Sequence, residues 1–117
     1  MYKQLQFFIQ YTMQTEPFIE TGAYTGYKKI PLGIKGVYVF KDFITGQILY
    51  AGKAKDLRKR LYSYTQATYG TAYKKWQEIT QKHYAVDLLA YKCDDNYLLE
   101  DYFIKKFNPP FNTRREL

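Results

Sequence analysis

The stretch from Gly36 to Gly52 constrains the fold more than any other. Val37-Tyr38-Val39-Phe40 is β-branched and aromatic, the composition that strands favour. Residues 41–47 hold a turn in which Gly46 is free to take a positive φ. Ile48-Leu49-Tyr50-Ala51 is a second short apolar run. The segment therefore predicts a hairpin, which Gly52 ends.

Helical spacing follows the hairpin. Asp56 is placed as the N-cap of a helix over 57–64. On a helical wheel Leu57, Leu61 and Tyr64 share one narrow stripe, from which Arg58 and Lys59 point away. Arg60 sits at the stripe's edge, four residues before Tyr64, and is the basic residue there able to reach inward. Residues 65–70 read as a loop. A second helix is expected over 71–83, with Ala72, Trp76, Ile79 and His83 on one face, and a third strand over 85–92. Asp94-Asp95-Asn96 offers N-caps for a last helix over 97–107, stopped by Pro109 and Pro110. Leu98, Leu99, Tyr102, Phe103, Ile104 and Phe107 cover most of its circumference, and Glu100 falls inside their arc. A carboxylate there costs stability unless it is partly exposed, paired with an arginine, or holding a cation. Residues 1–34 give no such pattern. Leu5, Phe7, Phe8 and Ile9 form an apolar knot compatible with strand or helix, and Gly22, Gly26, Pro31 and Gly33 break the rest into turns.

Composition excludes several classes. A chain of 117 residues allows one domain. Hydrophobic residues at 46% and charged residues at 25% rule out disordered and collagen-like chains. No apolar run approaches the roughly 18 residues of a membrane span. Met1-Tyr2-Lys3-Gln4 does not open a signal peptide, so an intracellular protein with no membrane partner is expected. With one cysteine, Cys93, and one histidine, His83, neither an internal disulfide nor a Cys/His zinc site can form. A Cys93–His83 nucleophilic pair stands against a buried thiol and a hydrogen-bonded histidine at the core's boundary. Any metal must be a hard cation on carboxylate oxygen and water. Aromatics reach 20%, with 14 tyrosines: core packing, stacking surfaces or reactive phenols. The net charge of +7, from 18 Lys+Arg against 11 Asp+Glu, favours a polyanion such as nucleic acid.

The order is hairpin, helix, helix, strand, helix. Gly-Val-Tyr at 36–38 opens the first strand, and Tyr-Ala-Gly at 50–52 closes the second. Gly-Lys-Ala-Lys-Asp-Leu-Arg-Lys-Arg-Leu follows at 52–61, and Leu-Leu-Glu-Asp-Tyr-Phe-Ile-Lys-Lys-Phe-Asn-Pro-Pro-Phe-Asn lies at 98–112. In these elements, taken in order, the sequence resembles the GIY-YIG nuclease family, and within it the N-terminal catalytic module of the bacterial excinuclease. The likeness covers roughly 36–112. It departs at Ala51, where the family carries a branched residue, and in a slightly long gap between Tyr38 and Tyr50, which the turn around Gly46 can absorb.

The resemblance implies an α+β fold (an α/β sandwich) with a small central three-stranded, mostly antiparallel sheet flanked by helices. A nuclease domain would occupy 36–117 behind an N-terminal extension over 1–35. It implies a metal-dependent DNA endonuclease with one divalent ion, Mg2+ or Mn2+, on Glu100. Arg60 would grip the non-bridging phosphate oxygens with its always-charged fork. Tyr38 would be the general base. Lys53, Arg60 and the ion would lower its pKa from the phenol value of about 10. Tyr50 would orient water or phosphate, the two tyrosines being able to exchange roles, and Lys53 would hold phosphate or tune the phenols. Tyr64 would line the site and contact DNA, together with Lys55, Arg58 and Lys59. Asn112 would buttress the site. Singly, each residue also has a bland reading: strand aromatics, a solvated lysine, a surface arginine, an Asx turn at Asn112. Lys28, Lys29, Lys74, Lys75, Lys105, Lys106, Arg114 and Arg115 would attract phosphate non-specifically, as Lys55, Arg58 and Lys59 also would. Two other functions remain open: a binding module without catalysis, and a catalytic chain that depends on a protein partner or a second copy for activity and target choice.

Overall fold

The computed structural model describes residues 17–22 and 25–112. Met1-Tyr2-Lys3-Gln4, the knot of Leu5, Phe7, Phe8 and Ile9, and the basic pair Arg114 and Arg115 lie outside the described residues. Among the described residues four strands form one sheet: β1 Ile19–Gly22, β2 Gly36–Asp42, β3 Ile48–Ala54 and β4 Val86–Lys92. Their order is β1-β4-β2-β3, and every pairing is antiparallel. The helices are α1 Leu57–Thr65, α2 Thr71–Lys82 and α3 Asn96–Phe107, and a 3-10 turn spans Gly26–Lys29.

The expected three-stranded sheet is corrected to four strands. Ile19 to Gly22 pairs with Ala90 to Asp87 of β4. The strand escaped the sequence because it is four residues long with one large apolar side chain, too little for a period to show. The segment behind it also packs: Ile30 is fully buried, Tyr27 nearly so, and both join the core under α1 and α2.

Strand alternation divides the core into two layers. Tyr38 and Phe40 of β2, with Leu88 and Ala90 of β4, face α1 and α2, where Leu57, Leu61, Tyr64, Trp76 and Ile79 close the layer. Val37, Val39, Ala51 and Leu89 face α3, against Leu99 and Phe103. β2 is therefore buried on both sides, which explains its unbroken apolar run. A register slip between Phe40 and Lys41 leaves Leu49 as an extra residue in β3, so Leu49 and Tyr50 both join the α1–α2 layer.

The hairpin turn has Gly46 at φ 79°. Asp42 Oδ1 accepts the N–H groups of Ile44 and Thr45 at 2.8 and 2.9 Å. Its Oδ2 lies 2.9 Å from His83 Nδ1 at the end of α2. His83 is thus a hydrogen-bonded boundary residue. Cys93 lies beyond the opposite end of β4, against the α3 layer, and burial raises its thiol pKa. The two residues do not form a nucleophilic pair.

Candidate active site

Three buried tyrosines converge between the sheet and α1. Tyr38 comes from β2, Tyr50 from β3 and Tyr64 from α1. The Tyr38 hydroxyl donates to Tyr64 at 2.9 Å, and Tyr64 donates to Tyr50 at 3.4 Å. Tyr38 and Tyr64 ring centroids are 5.4 Å apart, and the Tyr50 ring lies 6.1 Å from Tyr64. Gly52 is the ladder partner of Tyr38, and a Cβ there would collide with the Tyr38 hydroxyl and Cζ. The tyrosine of the first sequence element and the glycine of the second are thus one steric unit.

Burial pushes the Tyr38 phenol well above its ordinary value of 10.0, and charge on Tyr64 or Tyr50 would push it further. Tyr64 is raised too, by burial first and then by Tyr50. Arg60 pulls both down, but less strongly. Of the three influences expected to lower the Tyr38 pKa, Lys53, Arg60 and a bound ion, Arg60 alone does not overcome burial. At 2% exposure, losing the water that would solvate a phenolate outweighs the attraction of one guanidinium. Lys53 follows Gly52 in the strand and turns to the opposite side of the sheet.

There Lys53 Nζ lies 3.5 Å from Glu100 Oε1. The Glu100 side chain is 15% exposed and that of Lys53 49%. Glu100 is thus paired, with a lysine rather than an arginine, at the rim of its apolar arc. Lys53 also lines a cleft of about 680 Å³ at the end of β3. One wall comes from α1 and its N-cap, with Asp56, Lys59, Arg60 and Ser63. The other comes from α3, with Asn96 and Tyr97, and Lys35 and Lys55 complete the rim. Asp56 fixes the α1 wall: its Oδ1 accepts Lys59 N–H at 3.2 Å and its Oδ2 accepts Gly33 N–H at 3.0 Å.

Among the residues expected to meet DNA, Lys55 and Lys59 line this cleft and Arg58 does not. Tyr64 is corrected: at 4% exposure it faces inward and links the other two phenols. Asn112 is buried and grips β3. Its Oδ1 accepts Ala51 N–H and its Nδ2 donates to Ala51 O, both at 3.0 Å.

Four residues with a place here carry no such role in the sequence reading. Asn96, expected only as a cap, turns inward and donates to Gly36 O at 3.3 Å and Ala54 O at 3.2 Å, stapling β2 to β3. Lys75, expected to attract phosphate non-specifically, donates to Phe111 O at 2.9 Å and sits 5.0 Å from the Tyr50 ring centroid. Lys35 and Tyr97 line the cleft. For Asn96 the signal was available, since its wheel position is that of the buried Leu99 and Phe103; for the other three there was none.

The UvrC-like GIY-YIG domain family matches residues 34–113. The chain belongs to this family. UvrABC system protein C of Shewanella sp. (strain ANA-3) is 38% identical over 79 residues, 67% of this chain and 12% of that protein. Its counterpart in Chlamydia trachomatis serovar D is 40% identical over 79 residues, 67% of this chain and 13% of that protein. This GIY-YIG chain thus spans about 12% of the length of such relatives. Among solved structures, the GIY-YIG N-terminal endonuclease domain of UvrC from Thermotoga maritima, bound to magnesium as its catalytic divalent cation, matches with a TM-score of 0.55 and 28% identity. That match covers 74% of this chain and 96% of the other. A tyrosine-to-phenylalanine variant of that domain matches at the same TM-score.

The GIY-YIG site suits a hard cation. Among the described residues no three His, Cys, Asp or Glu side chains gather as a ready-made cage. Glu100 offers carboxylate oxygen at a partly open rim, which fits an ion that keeps several waters and shares phosphate oxygens. No helix among the described residues is long and apolar enough to cross a membrane.

Proposed function

We propose that this chain is a metal-dependent DNA endonuclease that hydrolyses a phosphodiester bond with one divalent ion held by Glu100. The observation that carries this reading is a basic cleft lined by Arg60 and by Lys53, where Lys53 pairs with Glu100 and Arg60 acts electrostatically on the buried phenols Tyr38 and Tyr64. The Thermotoga maritima domain of the same fold is an endonuclease with a catalytic divalent cation. When bound, such an ion polarises a phosphoryl oxygen and neutralises the leaving oxygen.

The chain's own residues supply the rest. Arg60 holds the non-bridging oxygens, and Lys53 neutralises Glu100 until a cation replaces it. The donor order of the phenols favours Tyr38 as the acceptor of a proton from water. Its own hydrogen is committed to Tyr64, so its oxygen lone pairs are free. Tyr50, at the end of the chain, keeps a proton to donate to phosphate. Because burial resists a standing phenolate, Tyr38 would accept the water proton as its own passes to Tyr64, that of Tyr64 to Tyr50, and that of Tyr50 to a phosphate oxygen. Asn112 holds the strand that carries Tyr50. This reading brings with it DNA as partner, an intracellular setting, and target choice supplied by a protein partner or second copy.

The test is a cleavage panel of supercoiled, nicked, flapped and branched DNA, with and without Mg2+ or Mn2+. Cleavage is expected only with a divalent ion, and Arg60→Ala should lower its rate by about 100- to 1,000-fold. Salt-sensitive binding without cleavage under either metal would leave a binding module instead.

A further inference from the structure

The cleft carries one aromatic side chain with its ring in water. Tyr97 is 59% exposed and lies on the α3 wall. It stands three residues before Glu100, so the two side chains are neighbours on one face of the helix, their Cβ atoms about 5–6 Å apart. Around Tyr97 the cleft presents Lys35, Lys53, Lys55, Lys59 and Arg60. Its volume of about 680 Å³ falls within the roughly 300–1,000 Å³ typical of small-ligand sites, suited to a nucleotide or two rather than a duplex cross-section.

We propose that Tyr97 is a stacking platform for an unpaired base next to the scissile phosphate, making this cleft selective for DNA locally single-stranded at the cut. The proposal rests on the endonuclease reading for the position of that phosphate. Its logic is that of single-strand binding sites, where cations track the backbone and an aromatic ring accepts a base. A base inside an intact duplex has both faces covered by its neighbours, so only an unstacked one can use the ring. The adjacent cations attract any phosphodiester and do not discriminate; Tyr97 would.

The experiment measures binding in EDTA, so that its outcome is independent of cleavage. Fluorescence anisotropy follows a single-stranded oligonucleotide and its duplex. A 2-aminopurine at the stacked position reports stacking by quenching. Tyr97→Ala should weaken single-strand binding by about 5- to 150-fold and abolish the quench, with duplex affinity and salt slope unchanged. Tyr97→Phe keeps the ring and should keep both signals. Because the side chain is largely exposed, the variants should melt with the parent. Equal binding by Tyr97→Ala and the parent, or equal losses on single strand and duplex, would overturn the proposal. Absence of nicking with Mg2+ alongside a Tyr97-dependent quench would instead count against the endonuclease reading, and the stacking platform would stand.

Discussion

Asn112 turns one side-chain amide toward both backbone groups of Ala51. β3 lies at the edge of the sheet, so without this contact the Ala51 N–H and C=O would be buried and unpaired. Asn112→Ala removes both bonds and should destabilise the chain by about 2–4 kcal/mol, measured by urea unfolding. A loss below about 0.5 kcal/mol would show that water takes the amide's place. The same residue shows what a sequence can convey at this scale. Its position after the proline pair was readable, but the residue it grips lies 61 positions away. Tyr38 and Gly52 could be picked out by their elements, whereas their collision partnership could not. The rise that burial imposes on the Tyr38 phenol was not legible either, because burial is a property of the packed layer, not of neighbouring charges.

Elements join through a few buried contacts between their ends. Asp42 closes the hairpin turn and meets His83 at the end of α2. Its carboxyl is held below the ordinary 3.8, chiefly by the Thr45 N–H and next by His83. A depressed carboxyl stabilises the fold fully above its unfolded value and loses that contribution as pH falls through the folded one. Melting curves of the parent and Asp42→Asn should therefore separate above about pH 4 and converge at the acid end. Parallel curves would contradict the linkage. The second joint involves β1 and the 3-10 turn. Residues 36–92 were legible as hairpin, helix, helix and strand because each element has a period or a clear stop. The segment before them was not, because β1 is short and Tyr27 and Ile30 are isolated apolar residues whose burial depends on α1 and α2. A chain beginning at Pro31 loses β1 and both side chains. It should be less stable by roughly 3–6 kcal/mol, at about 1.5–3 kcal/mol per side chain, read by thermal melting. An unchanged melting temperature would make residues 19–30 an appendage to the fold.

At the scale of the whole molecule, the +7 charge has a focus. Lys35, Lys55, Lys59 and Arg60 gather at the cleft, while Lys53 is paired with Glu100. Four phosphate contacts predict a slope of log K against log salt of roughly −2.8 for single-stranded DNA, and Lys59→Ala should reduce it by about 0.7. A slope unchanged in that variant would place the DNA on another face. The cleft itself was not readable from sequence, because its walls come from helices about 40 residues apart in the chain. The most direct test of the proposed hydrolytic site is nicking of supercoiled plasmid with Mg2+ by the parent chain and by Glu100→Ala, with both shown folded by their melts. The expected result is Mg2+-dependent nicking by the parent and a loss of at least about 100-fold in the variant. Equal nicking rates would remove Glu100, and with it the single-ion site, from the chemistry.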